Sequence, residues 1–141
     1  MHTITCKWSS FEECESRLIE SIESAGMRIF AVIDHSKNAE DVGLNLSKTK
    51  LYIFGNPSAG TLLMQRRREI GYDLPLRVLL WEEDGKVNIL YKLPSEIARE
   101  YGLTNLDILN KMDTTLQKNN RKHNPLRIDI PHETLKIKEK H

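Results

Sequence analysis

Hydrophobic residues recur most regularly between residues 11 and 25. Phe11, Cys14, Leu18, Ile22 and Ala25 recur there at steps of three and four residues. Steps of three and four residues place side chains on one face of an α-helix. Ser10 stands at capping-box distance from Glu13, and Gly26 can take the left-handed conformation that ends many helices. The pattern therefore predicts an amphipathic helix between Ser10 and Gly26.

Short apolar or alternating runs predict five strands, at residues 3–8, 27–33, 50–54, 74–82 and 86–91. Asp84-Gly85 joins the last two runs and is typical of a β-hairpin turn. Further helices are predicted at 39–44, at 58–69, and from Leu93-Pro94-Ser95 to Gly102. The main elements follow the order strand, helix, strand, strand, helix, strand, strand, helix.

A doubly wound parallel sheet needs a helix between successive strands, and this order does not supply one. We therefore predict an α+β domain with a mainly antiparallel sheet of about five strands and its helices on one face. A chain of 141 residues with 39% hydrophobic side chains is long enough for one domain with a sizeable core.

Charge divides the chain into two parts. Residues 1–103 carry 13 basic and 15 acidic side chains, whereas residues 104–141 carry 8 basic and 5 acidic ones. We place the compact domain at 1–103 and treat 104–141 as a C-terminal extension. In the extension, the spacing of Leu106, Leu109, Met112 and Leu116 predicts an amphipathic helix packed on its own domain or on a second subunit. A polar linker at 119–125 follows it, and the alternation at 125–131 predicts an edge strand.

Net charge, the length of the apolar runs and the first residues each argue against one class of protein. A net charge of +1 creates no field that would attract a polyanion, so the sequence does not indicate a dedicated nucleic-acid binder. The longest apolar runs, such as Val78–Trp81, are too short to cross a membrane, and the first residues do not resemble a secretory signal. These features predict a cytoplasmic protein.

The two cysteines, Cys6 and Cys14, have no spacing typical of a zinc or redox site. We expect two free thiols that behave as small buried hydrophobic side chains, without a disulfide. Four of the five histidines lie near the termini and none forms a helical metal-binding pair. The sequence predicts no metal and no cofactor.

Two groups of polar residues follow apolar strands and are candidates for a site. Asp34 and His35 end the second strand, and His35 is the best candidate for a general acid, a general base or a ligand contact. The alternative is a histidine that caps a backbone group, with Asp34 in a turn.

The second group is the strand-to-helix turn at 55–61. Its backbone N–H groups could receive a small anion at the helix start. The alternative is a tight turn in which Asn56 makes an Asx-type bond, Pro57 restricts the backbone and Ser58 caps the helix. Asp73 is interpreted first as a turn residue and second as a wall of the site.

Three segments together resemble the domain-of-unknown-function family 302: FGNPSAGTLLMQ at 54–65, GYDLPLRVLLW at 71–81 and DGKV at 84–87. Ile33-Asp34-His35 and Leu44 fit the same pattern, and the resemblance covers roughly residues 10–103. It implies an α+β fold related to the TATA-box-binding-protein-like fold, and it implies no known activity.

The chain also departs from this family. Where relatives usually have Tyr-Asn-Asp-Pro, it has Tyr91-Lys92-Leu93-Pro94, and where they often have Arg-His-Gly, it has Glu100-Tyr101-Gly102. If the amide and the carboxylate of relatives form part of a ligand site, that part is altered in this chain.

The sequence thus leads to two functional hypotheses. The first is a small-ligand-binding or protein-interaction module, a homodimer through its sheet or tail that takes a small anionic ligand. Its cleft would contain Asp34, His35, Gly55, Asn56, Pro57, Ser58, Thr61 and Asp73. The alternative is an enzyme of unknown reaction that uses His35 as general acid or base. A nucleic-acid contact through the basic extension is a third, weaker hypothesis.

Overall fold

The computed structural model describes residues 1–8 and 10–117. Its strands are β1 (His2–Thr5), β2 (Arg28–Asp34), β3 (Thr49–Gly55), β4 (Leu76–Glu83) and β5 (Lys86–Tyr91). Its helices are α1 (Phe11–Ser24), α2 (His35–Asp41), α3 (Pro57–Arg66), α4 (Pro94–Arg99) and α5 (Asp107–Gln117), with a 3₁₀ helix at Arg68–Tyr72. The strands form one antiparallel sheet in the order β1-β5-β4-β3-β2. The predicted α+β class and five-stranded sheet are confirmed, while the linker and edge strand predicted after residue 118 lie outside the described residues.

Helix α1 follows the sequence pattern closely. It begins after Ser10, whose hydroxyl accepts a hydrogen bond of 3.3 Å from the Glu13 N–H. Its apolar stripe is buried against the sheet, with Cys14, Leu18 and Ile22 fully inaccessible to solvent. An amphipathic pattern with a capped start therefore was sufficient to predict this element.

Helix α2 begins four residues earlier than the pattern at 39–44 predicts. The reason is the cap, because the Asp34 carboxylate accepts hydrogen bonds from the Lys37 N–H at 3.0 Å and the Ser36 hydroxyl at 2.6 Å. An acceptor at this position satisfies N–H groups that the first turn of a helix leaves free. Asp34 thus ends β2 and starts α2.

Helix α3 is shorter than predicted, since it ends at Arg66 and the chain re-forms as the 3₁₀ helix. Arg67 between them is extended, and its guanidinium donates to the Tyr101 carbonyl at 2.8 Å and to Glu69 at 3.1 Å. The contact between Arg67 and Tyr101 occurs where α3 ends, and it joins residues 34 positions apart. No local sequence pattern predicts it.

One face of the sheet packs on the helices. In β4, Leu76, Val78 and Leu80 are buried and join the hydrophobic core with residues of α1, α3, α4 and α5. The intervening residues of the same strand, such as Leu79, point to the opposite face and are not part of that core. The predicted arrangement with helices on one face is therefore present.

Helix α5 lies beyond the predicted domain boundary at residue 103 and still contributes to this core. Leu109 and Leu116 are only 3% and 1% exposed. The Ser95 N–H at the start of α4 donates to the Asp113 carboxylate at 3.0 Å, so α5 also caps a neighbouring helix. The first part of the extension is thus packed on its own domain.

Glu96 ties α4 to the first residues of the chain. Its carboxylate accepts hydrogen bonds from the Leu93 N–H at 2.8 Å and the Met1 amine at 2.7 Å, and His2 Nε2 lies at 2.8 Å. Burial raises the pKa of Glu96, but the hydrogen bonds and the nearby positive charge outweigh it and lower the pKa to about 2.

The two cysteines form a disulfide, so the prediction of two free thiols is wrong. Cys6 follows β1, Cys14 lies in the first turn of α1, and their Cα atoms are 6.4 Å apart. Spacing along the chain could not show this, because the two side chains meet only when α1 folds back over the end of β1. Both residues are buried in the core.

Within the described part of the chain, no helix is long and apolar enough to span a membrane.

Candidate functional site

The residues predicted to form one cleft lie at opposite ends of the sheet. Strands β2 and β3 are antiparallel, with Asp34 paired to Lys50 and Gly55 paired to Arg28. Five steps along β3 separate these two pairs, which at about 3.3 Å a residue is about 17 Å. The Asp34–His35 pair and the Gly55–Ser58 turn therefore do not share a cleft.

Asp34 lines a charged cavity of about 540 Å³ between α1, α2 and β3. Three of the carboxylates that line it, those of Glu12, Glu15 and Asp34, are paired with neighbouring groups of the protein. Asp34 is held by its capping bonds to α2, and Glu12 forms an ion pair with Lys48. The capping bonds from Ser36 and Lys37 lower the pKa of Asp34.

Tyr52 is buried and does not itself line this cavity, but its hydrogen-bond acceptor Glu15 does. The Tyr52 hydroxyl donates to Glu15 Oε2 at 2.6 Å, and Lys50 Nζ donates to the same oxygen at 2.8 Å. Burial, followed by the hydrogen bond to Glu15, raises the pKa of Tyr52 far above its usual range. The three side chains form a closed group that joins α1 to β3, and we interpret it as structural.

His35 is exposed in the first turn of α2 and does not line the cavity that Asp34 lines. No other described residue makes a hydrogen bond or an ion pair to its ring. The described residues therefore place no second titratable group beside His35 to act with it in catalysis. In the same part of the chain, no three His, Cys, Asp or Glu side chains are arranged to hold a metal.

The turn after β3 borders a pocket of about 230 Å³, which we call the turn pocket. Four predicted site residues line it, Gly55, Asn56, Pro57 and Thr61. The remaining lining residues are Phe30, Gly60, Met64, Leu74, Pro75, Leu76 and Met112. Ser58 is at the same turn but does not line the pocket.

The polar atoms of the turn are mostly used within α3. Asn56 Oδ1 accepts hydrogen bonds from the Ser58 N–H at 2.9 Å and the Ala59 N–H at 3.3 Å, so Asn56 is the N-cap. Pro57 has no N–H to offer, and the Thr61 hydroxyl donates to the Pro57 carbonyl at 2.7 Å. Two N–H groups at the start of α3 are thus already bonded to Asn56, which leaves few backbone donors for an anion. The Asn56 amide NH₂ remains available as a donor.

Asp73 does not line the turn pocket but belongs to a neighbouring cavity. Its carboxylate accepts a hydrogen bond from the Tyr101 hydroxyl and forms an ion pair of 3.1 Å with Arg77. The bond to Asp73 raises the pKa of Tyr101 to about 12. Asp73, Arg77 and Lys92 form the polar wall of a cavity of about 340 Å³ over Leu79 and neighbouring strand residues.

Three residues that line the turn pocket, Phe30, Met64 and Met112, were not predicted as site residues from the sequence. Phe30 sits at an irregularity in the pairing of β2 and β3, between Ile29 and Ala31, and is 42% exposed. Met64 follows Gly60 by one helical turn, which was the local signal available for it. Met112 lies in the extension, and nothing local relates it to residue 56.

Comparison with known proteins finds curated proteins of similar sequence. Over 95 residues, the chain is 43% identical to the fluoride-specific ion channel FluC 1 of Brucella suis biovar 1 (strain 1330), covering 67% of this chain and 37% of that protein. The fluoride-specific ion channel FluC 2 of Brucella melitensis biotype 1 is also 43% identical over 95 residues, covering 67% and 35%. The chain therefore spans about a third of the length of these curated relatives.

A solved structure has the same fold. The crystal structure of an uncharacterized conserved DUF302 protein from Bacillus stearothermophilus superposes with a TM-score of 0.75, over 91% of this chain and 96% of that one, at 18% identity. The family model for the domain of unknown function DUF302 matches residues 2–119, which includes α5. Since this match covers most of the chain, the protein belongs to the DUF302 family.

Proposed function

We propose that the protein is a small-ligand-binding module whose ligand occupies the turn pocket. The observation that carries the proposal is the pocket itself, about 230 Å³ in volume and walled by four residues predicted as a site. Ligand pockets are typically lined by apolar side chains with a few polar groups that orient the ligand. Asn56 and Thr61 are the polar groups of this pocket.

The lining favours a neutral, flat ligand over the small anion predicted from the sequence. No Lys or Arg is among the residues that line the pocket. Phe30, Met64 and Met112 offer an aromatic ring and two thioethers, which make favourable contacts with aromatic groups. The Asn56 NH₂ can donate one hydrogen bond to a carbonyl or ring nitrogen.

The volume sets the size of the ligand. An engineered cavity of about 150 Å³ in another protein accommodates benzene, so a pocket of about 230 Å³ fits a fused bicyclic compound. Indole is a suitable probe because it has this size and carries no charge.

The experiment is an NMR titration of the full chain, labelled with ¹³C at its methionine methyl groups. Of its four methionines, Met64 and Met112 line the pocket, while Met1 and Met27 do not and serve as internal controls. Indole should shift the Met64 and Met112 signals with a saturating dependence. At ten times its dissociation constant, indole should stabilise the protein by about 1.4 kcal/mol.

Two variants at one position complete the design. Gly60 lines the pocket, and a Cβ there would lie 4.0 Å from Met64 Cε. Gly60→Leu should fill the pocket and abolish the titration, whereas the control Gly60→Ala should retain it. Equal binding by the two variants, or equal shifts at all four methionines, would contradict the proposal.

A second proposal concerns the relatives. Because the matched region makes up about a third of proteins named fluoride-specific ion channels, we propose that this kind of domain is an accessory module that couples a small ligand to such a channel. Fluoride efflux from liposomes holding the Brucella suis protein should respond to indole, and deletion of its matching 95 residues should remove that response. Identical responses of the intact and shortened channels would refute the coupling.

A further inference from the structure

The sheet face opposite the helices carries an apolar row that crosses all its strands. Register pairs Thr3 with Leu90, Leu90 with Leu79, Leu79 with Leu51, and Leu51 with Ile33. The four apolar members are half-buried, and none of them packs against the hydrophobic core. We call the surface formed by this row and its flanking residues the open face.

The open face has the composition of a protein interface. On one side of the row the flanking residues of β3, β4 and β5 are uncharged, namely Thr49, Trp81 and Asn88, and Glu83 and Lys86 lie beyond them. On the other side Ile53 is followed by Arg77 and Lys92, with Asp73 ion-paired to Arg77. Protein interfaces combine a centre depleted of charge, enriched in Trp and Arg, with a polar rim.

We propose that the open face binds a second copy of this chain, with a two-fold axis along the apolar row. Rotation about that axis places each leucine of the row on its own counterpart. It also exchanges the two sides of the row, so that Arg77 faces Trp81 of the partner subunit.

Charge complementarity supports this arrangement. Trp81 Nε1 donates to Glu83 Oε1 at 3.1 Å, so the ring and the carboxylate form one group at the end of the face opposite Arg77. The guanidinium of one subunit, which also pairs with Asp73 of its own chain, would therefore approach an aromatic ring and a carboxylate of the other, and both attract a cation. Each dimer would contain this contact twice, because the interface is symmetric.

The area of the open face is small for a protein interface. Four strand spacings of about 4.8 Å and six residue steps of about 3.3 Å give a flat footprint of about 400 Å². A stable interface buries about 800 Å² per partner, so the open face corresponds to the weak end of the range. We therefore infer a weak, reversible dimer that dissociates on dilution.

The proposal is independent of the ligand in the turn pocket, and sedimentation velocity of the full chain tests it. Between about 1 and 500 µM, the average mass should rise from 16.3 kDa towards twice that value. Leu79→Lys brings two like charges together on the axis and should weaken the dimer by about 100-fold. The matched control is Leu62→Lys, because Leu62 is also an apolar residue, 49% exposed, but lies on α3.

A charge exchange tests the orientation. Arg77→Glu should weaken the dimer, and the double variant Arg77→Glu/Glu83→Arg should restore it, since position 77 of one subunit lies beside positions 81 and 83 of the other and the two charges are exchanged. Circular dichroism verifies that each variant is folded, and Leu90→Lys replaces Leu79→Lys if that variant does not fold. A protein that stays at 16.3 kDa throughout would overturn the proposal and leave the open face to a small molecule or a different protein. A dimer weakened equally by Leu62→Lys, or left intact by Leu79→Lys, would also overturn it.

Discussion

Reduction of the disulfide should destabilise the protein by an amount that follows from its position. Cys6 and Cys14 are separated by 8 residues. In the chain-entropy model, closing a loop of this length lowers the entropy of the unfolded state by about 8.3 cal/mol/K, or about 2.5 kcal/mol at 25 °C. The loop is short, so a larger effect is not expected from entropy alone. The loss should lower the midpoint of thermal unfolding by roughly 8–10 °C.

Urea unfolding with and without a reducing phosphine, followed by circular dichroism, measures this difference. With a slope of about 2 kcal/mol per molar urea, the midpoint should fall by about 1.2 M on reduction. The double variant Cys6→Ala/Cys14→Ala is the control, because its midpoint should not respond to reductant. Alkylation of two thiols in the unreduced, denatured protein would refute the reasoning, as would a midpoint that reductant leaves unchanged.

Three further changes test the local interactions. Asn56→Ala removes the N-cap of α3 and should cost about 1 kcal/mol in urea unfolding, whereas Asn56→Asp should keep most of it. Glu15→Ala leaves the buried Tyr52 hydroxyl without its acceptor and should cost about 1–3 kcal/mol, a loss that Tyr52→Phe in the same background should partly relieve. The pKa of Glu96 is lowered to about 2 from an ordinary 4.5, so its stabilising effect is present above pH 4.5 and is lost as the pH falls towards 2. Glu96→Gln should therefore flatten the acid limb of a stability–pH curve, and an unchanged limb would contradict this.

The turn pocket and the open face are separate surfaces, the first proposed to bind a ligand and the second to form a dimer. The turn pocket lies at the N-terminus of α3 and is walled by the bulged part of β2 and by α5. The open face lies on the side of the sheet away from the helices. Ligand binding and dimer formation can therefore be tested separately, and Gly60→Leu and Leu79→Lys should each affect only one of them.

Local pattern determined the elements of this protein. The stripe of α1, the Asp84-Gly85 hairpin and the alternation of β4 and β5 depend on interactions within a few residues, so their periods could be recognised in the sequence. The order of these elements was sufficient to predict the antiparallel sheet. Element ends were less predictable where a side chain reaches a distant partner, as Arg67 does at the end of α3.

Only the tertiary structure decided which polar residues lie together. In the sequence, Asp34-His35 and Asn56-Pro57 both follow apolar strands, and strand ends look alike whichever way a strand runs. Antiparallel pairing of β2 and β3 places these two groups about 17 Å apart, while folding of α5 brings Met112 to the Asn56 turn and folding of α1 brings Cys14 to Cys6. Secondary structure is set by neighbours along the chain, whereas a site is set by contacts between segments, and their distances depend on strand direction and helix packing.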